Sequence, residues 1–125
     1  MIDKVRFSYC EKDIVLIKSF NGGISLQEYI NAWRKVRGLR MLQKNVKGVI
    51  SDFTDCEFQI EEEELDELFI FFQKNINFIV NLKLALVIDS PKVAVMTLFI
   101  QKYKIDQIKI FSSKIPALNW IHSDS

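Results

Sequence analysis

Two aspartates, Asp52 and Asp89, each close an apolar run, Gly48-Val49-Ile50-Ser51 and Leu84-Ala85-Leu86-Val87-Ile88. Carboxylates at the ends of such runs reach the edge where open α/β sheets bind ligands. There a pair could hold a divalent cation or divide acid and base roles, because burial and a like charge raise one pKa. Strand-ending aspartates also accept bonds from loop amides and begin turns, which is the plainer use of the same residues. His122 is the only imidazole, and no pattern in the sequence brings a serine or cysteine nucleophile to face it. Cys10 and Cys56 are too few for a disulfide framework, and with one histidine they would need carboxylates to complete a zinc site. Gly22-Gly23 lacks both the spacing and the lysine of a phosphate cradle. The sequence therefore names no catalytic residue, metal or cofactor, and a metal-dependent hydrolase using Asp52 and Asp89 ranks third among its readings.

Binding residues are better represented. Asp52, Thr54, Asp55 and Phe58 form one loop, Glu61 opens the helix after it, and Asp89 with Ser90 forms a second loop at the same predicted edge. Together they are the candidate ligand or partner loops. Arg34, Lys35, Arg37, Arg40, Lys44 and Lys47 make a basic stretch without an acid. It lacks the interleaved aromatics of a single-strand platform, so nucleic acid is not expected. An acid-rich block from Asp55 to Glu67 could meet such a stretch on a partner or a second copy. Phe69, Ile70, Phe71 and Phe72 are consecutive, and no helix hides four adjacent apolar side chains on one narrow face. Either helices pack on more than one side of this segment, or Phe69, Phe71 and Phe72 supply an apolar surface for a partner or ligand.

The elements that must position these residues are legible from period and punctuation. Alternation predicts strands over 2–10 and 14–20, with a polar turn at Glu11-Lys12-Asp13 between them. Asn21-Gly22-Gly23 breaks the chain. Ser25 and Glu28 form a capping box, and Leu26, Tyr29, Ile30, Trp33 and Val36 share one face of the helix it opens. That face fails after Gly38, leaving 39–45 as a turn or extra helix. A buried strand follows at 48–53. A second helix starts in Glu61–Glu64, with Leu65, Leu68, Phe69, Phe72 and Ile76 as its core stripe. Residues 84–88 form a strand buried on both faces. Ser90-Pro91 opens a third helix to Tyr103, 108–111 is the last strand, and Ser113 caps a final helix through Ile121. The order is β-β-α-β-α-β-α-β-α, an α/β fold with a single mixed, mostly parallel sheet covered by helices.

This order, together with Val49-Ile50-Ser51-Asp52-Phe53-Thr54-Asp55, the strand-to-helix phrase 84–91 and the ending 110–121, resembles the STAS-like superfamily, in particular its SpoIIAA-like (anti-sigma-factor-antagonist-like) branch. The resemblance covers nearly the whole chain. It implies a domain that works by protein–protein contact, with lipid capture in more distant relatives. In STAS antagonists a phosphorylatable serine followed by glycine opens the helix after the central strand. Here 55–62 carries glutamates and no glycine, so that switch is not implied, although Thr54 lies in the matching loop.

Composition agrees with a soluble α/β domain spanning 1–125. The 125 residues are 49% hydrophobic, and 17 basic against 16 acidic side chains leave a net charge of +1, which draws the chain to neither nucleic acid nor anionic membrane. No apolar run approaches the roughly 20 residues that span a bilayer. The opening Met-Ile-Asp-Lys-Val-Arg is charged where a secretory signal is apolar. The expectation is a cytoplasmic, non-catalytic module that binds a protein or a second copy of itself as a homodimer. The alternative is a carrier of a lipid or other small apolar ligand.

Overall fold

In the computed structural model, residues 4–10 and 14–123 are described, so the turn expected at 11–13 and the start of the first strand lie outside them. Five strands, β1 (Val5–Cys10), β2 (Val15–Phe20), β4 (Gly48–Asp52), β6 (Lys83–Val87) and β7 (Ile108–Phe111), form one sheet in the spatial order β1-β2-β4-β6-β7. β1 pairs antiparallel with β2, and every other pairing is parallel.

From β2 onward each crossover steps in the same direction across the sheet. Parallel crossovers are right-handed, so an order without reversal puts every crossover helix on one face. Accordingly α1 (Leu26–Gly38), α2 (Leu65–Lys74) and α4 (Lys92–Tyr103) share one core with Leu16, Phe20, Val49, Leu86 and Ile108. The last helix, α5 (Lys114–His122), is no crossover and packs on the opposite face. There Ala117 and Ile121 meet Val15, Ile50, Ala85 and Val87.

Local signals place the helix ends. Ser25 Oγ accepts from the Glu28 amide and Glu28 Oε1 accepts from the Ser25 amide, both at 3.1 Å, which completes the capping box of α1. α1 ends at Gly38 as expected, and 39–47 forms turns without a further helix, with Arg40 at φ 52°. α4 begins one residue later than expected, with Pro91 at the cap and Ser90 Oγ accepting from the Lys92 amide at 3.3 Å. Ser113 occupies the cap position of α5 but its side chain accepts no bond from the helix.

Two features depart from the expected elements. Asn21-Gly22-Gly23 does break the chain, with Gly22 at φ 71°, but β3 (Gly22–Ile24) then pairs in parallel with β5 (Cys56–Phe58) as a second, two-stranded sheet. Both strands have three residues, too few to show a period. The expected second helix is two: α2 stops at Asn75, whose Nδ2 donates to the Phe71 carbonyl at 2.8 Å, and α3 (Ile76–Ile79) follows. The break turns Ile76 out to solvent and brings Ile79 into the core instead.

Candidate functional site

The loops singled out from sequence do converge at the carboxyl edge of the sheet, where they hold one another. Asp52 Oδ1 accepts from the Thr54 amide at 3.0 Å and from Thr54 Oγ1 at 2.8 Å, while Oδ2 lies 3.7 Å from Lys114 Nζ. The carboxylate is thus engaged in shaping its own turn and in holding α5. Lys92 Nζ donates to the Ile60 carbonyl at 2.8 Å and pairs with Glu61 at 3.2 Å, tying the α4 start to the entry of α2. Asp89 is exposed beside Ser90, and Thr54 and Asp55 are exposed at the tip of their turn. Among the described residues no three His, Cys, Asp or Glu side chains gather as a metal site. Cys56 is half-buried near Asp52 and Asp55. Burial first, then the two carboxylates, push its thiol up to about 12, so it is a poor nucleophile.

Phe58 is not a contact residue of that loop. It is buried and stacks on Phe53 at 4.4 Å, which stacks in turn on Phe20 at 4.8 Å, with Tyr29 tilted against the column. Pairing of β5 with β3 turns it inward.

The consecutive apolar segment of α2 divides between the two alternatives, packing on more than one side and an apolar surface. α2 lies between α1 and α4 over the sheet, so three of its sides are covered. Phe72 is buried and faces Trp33 and Phe99. Phe69 is half-buried against α4, its ring stacked on Tyr103 at 4.0 Å. Phe71 leans toward α1. Ile70 is the member that emerges, 49% exposed, and the ridge continues with Ile76 at 47% and Val80, the cap of α3, at 55%.

This ridge separates two depressions. On the α1 side a groove of about 580 Å³ runs between α1 and α2–α3, with Ile30, Trp33, Phe71 and Phe78 among its walls and Arg34, Arg37 and Lys74 along its rim. On the other side a recess of about 340 Å³ reaches the sheet at Leu84 and Ile108, between Phe69, Phe72 and Ile105. Gln107 anchors its floor by donating to the carbonyls of Ile79 and Leu82.

Behind Trp33 lies a residue that sequence reasoning passed over. Lys18, on β2, is 0% exposed and its Nζ has no hydrogen-bond partner among the described residues. The amine stands 3.3 Å from the Trp33 ring centroid and 4.7 Å from that of Tyr29. Its ion pairs among the described residues are none, and burial holds its pKa well below the usual lysine range. Burial likewise raises the Tyr29 phenol, opposed by hydrogen-bonding neighbours Trp33 and Ser51. The available signal was alternation: Leu16, Lys18 and Phe20 share one face of β2, so a lysine stood at a core position.

No protein-family model matches this sequence, and no curated protein matches it significantly. Solved structures do. Over 94% of its length the chain is similar to the anti-sigma-factor antagonist SpoIIAA in its unphosphorylated form, at 10% identity and a TM-score of 0.56, covering 96% of that chain. The phosphorylated form of the Bacillus cell-fate determinant SpoIIAA matches over 94% of this chain and 98% of its own, at 12% identity and a TM-score of 0.56. An uncharacterised protein from Shewanella loihica PV-4, described as having a SpoIIAA-like fold, matches at 14% identity and a TM-score of 0.58, over 94% of this chain and 91% of that one. With its five-stranded, mostly parallel sheet and its helices, the chain has a SpoIIAA-like fold.

Proposed function

We propose that this chain is a non-catalytic, cytoplasmic binding module that acts through protein–protein contact, with the α2–α3 ridge as its docking surface. One observation carries the reading: Ile70, Ile76 and Val80 stand 47–55% exposed on α2–α3, Ile70 at the edge of one depression and Ile76 at the edge of the other. Depressions on both flanks of it could receive a partner's side chains. Branched apolar side chains gathered in this way mark interaction sites more often than scattered ones do. The likeness in fold to an anti-sigma-factor antagonist points the same way. The occupied state of Asp52 agrees with a module that leaves bond-making aside.

A photo-crosslinking amino acid at position 76, expressed in the native host, tests this. It should yield a discrete protein adduct that disappears when Val80→Glu is added. The same probe at Ile115, 72% exposed on α5 across the sheet, should not give that adduct. An adduct of twice the chain's mass identifies the partner as a second copy. Identical adducts from both positions, or none from position 76, would overturn the proposal.

A further inference from the structure

The groove between α1 and α2 is polarised from end to end. Both helices return the chain between parallel strands, so they run in the same direction and their carboxyl ends meet. The contact of Arg37 Nη1 with Asn75 Oδ1 at 2.9 Å, between the end of α1 and the end of α2, marks the meeting point. Arg34, Arg37 and Lys74 gather at this end, and none of them forms an ion pair among the described residues. The opposite end is bounded by Gln27 and Glu67. Between the two ends the walls are apolar, and the Arg37 guanidinium lies 5.7 Å from the Phe78 ring centroid, so the cation sits where that apolar wall begins. From Gln27 to Arg37 the groove is about 15 Å long, at about 1.5 Å of rise per residue.

The carboxyl ends of the helix dipoles oppose an anion there, but each amounts to about half an elementary charge, and three full cations outweigh two of them. An elongated ligand with one negative head and one apolar tail matches the charge at one end and the walls beyond it. The volume of about 580 Å³ falls within the usual range for small-molecule sites. An acidic helix would spread its charges along the groove and meet Glu67 at the far end.

We propose that this groove binds a single-chain anionic amphiphile, its head at Arg34, Arg37 and Lys74 and its tail along Trp33 and Phe71. Arg34 and Arg37 are the specificity residues, since a guanidinium presents paired donors to a carboxylate or phosphate.

Trp33 in the wall is a built-in reporter. In a Trp120→Phe background it is the remaining tryptophan, and dodecanoate below its micelle concentration should shift its emission saturably. Dodecyltrimethylammonium, with the same tail and the opposite head, should bind at least about tenfold more weakly, the effect of losing one charge-assisted contact. The double variant Arg34→Gln/Arg37→Gln should weaken dodecanoate by about tenfold or more and leave dodecanol unchanged. Calorimetry on the unmodified chain should reproduce the order of the three ligands, and Ile76→Glu/Val80→Glu, which disables the ridge, should leave it intact. Equal binding of both charged heads, or an unaltered dodecanoate affinity in the arginine variant, would overturn the proposal. So would an acidic amphipathic peptide that shifts Trp33 where dodecanoate does not.

Discussion

Replacing Lys18 by methionine should stabilise this protein, and the gain should depend on pH in a way that no surface lysine reproduces. The side chain is wholly buried, its amine has no hydrogen-bond partner among the described residues, and the Trp33 and Tyr29 faces are its nearest polar compensation. An unpaired polar group so placed costs about 1–3 kcal/mol. Methionine keeps the unbranched shape and removes the amine. Burial depresses the folded-state pKa of Lys18, so between that value and the unfolded value of about 10.4 the unfolded chain binds a proton that the folded chain does not. Wild-type stability must therefore rise with pH within this interval, by about 1.4 kcal/mol per unit, and fall as pH drops through it. From pH 7 to pH 9 the increment is at most about 2.7 kcal/mol. Lys18→Met removes it, so the variant's advantage should be largest at neutral pH and shrink toward pH 9. Urea unfolding followed by tryptophan fluorescence at pH 7, 8 and 9, wild type against variant, measures both terms. Parallel pH profiles, or a variant less stable than wild type at pH 7, would refute the idea of an uncompensated amine whose pKa burial depresses.

Two further expectations concern packing and reactivity. Gly48→Ala should cost about 1–3 kcal/mol, because a Cβ there would meet the Lys83 carbonyl oxygen at 2.7 Å and Ile121 Cγ2 at 2.8 Å, where α5 rests on β4. Thermal melting should show a loss of several degrees, and an unchanged midpoint would mean that α5 sits further from the sheet. In a Cys10→Ser background, Cys56 should react with iodoacetamide at pH 8 on the order of 10³ times more slowly than an unhindered thiol, because its pKa near 12 leaves little thiolate. A rate like that of a small-molecule thiol would show that the turn opens readily.

Much of the frame was readable in one dimension because its causes are local. The Ser25–Glu28 box needs only a spacing of three, and the alternation of β2 needs only its own six residues. The buried strand at 83–87 announces itself by the continuous apolar run from Leu84 to Ile88. The order of the five main-sheet strands and their crossover helices, and the loops that meet at the sheet edge, followed from those signals. Assigning roles to the loop residues did not: Phe58 reads as part of an acidic loop, and its pairing with Ile24 across the small parallel sheet is what turns it inward.

What tertiary structure alone decided is which side of each helix remains open. A hydrophobic period locates a stripe, but α2 has neighbours on three sides, and their positions follow from a strand order that steps one way and crowds three crossovers onto one face. That crowding hides Phe69, Phe71 and Phe72 to different depths and leaves Ile70 in solvent. It aligns the carboxyl ends of α1 and α2 so that three cations collect at one end of an apolar groove. It also closes α1 over Lys18. Sequence determined the elements, because hydrogen bonding within helices and along strands is short-ranged. The site arose from juxtaposition of residues far apart in the chain, which only the packed fold supplies.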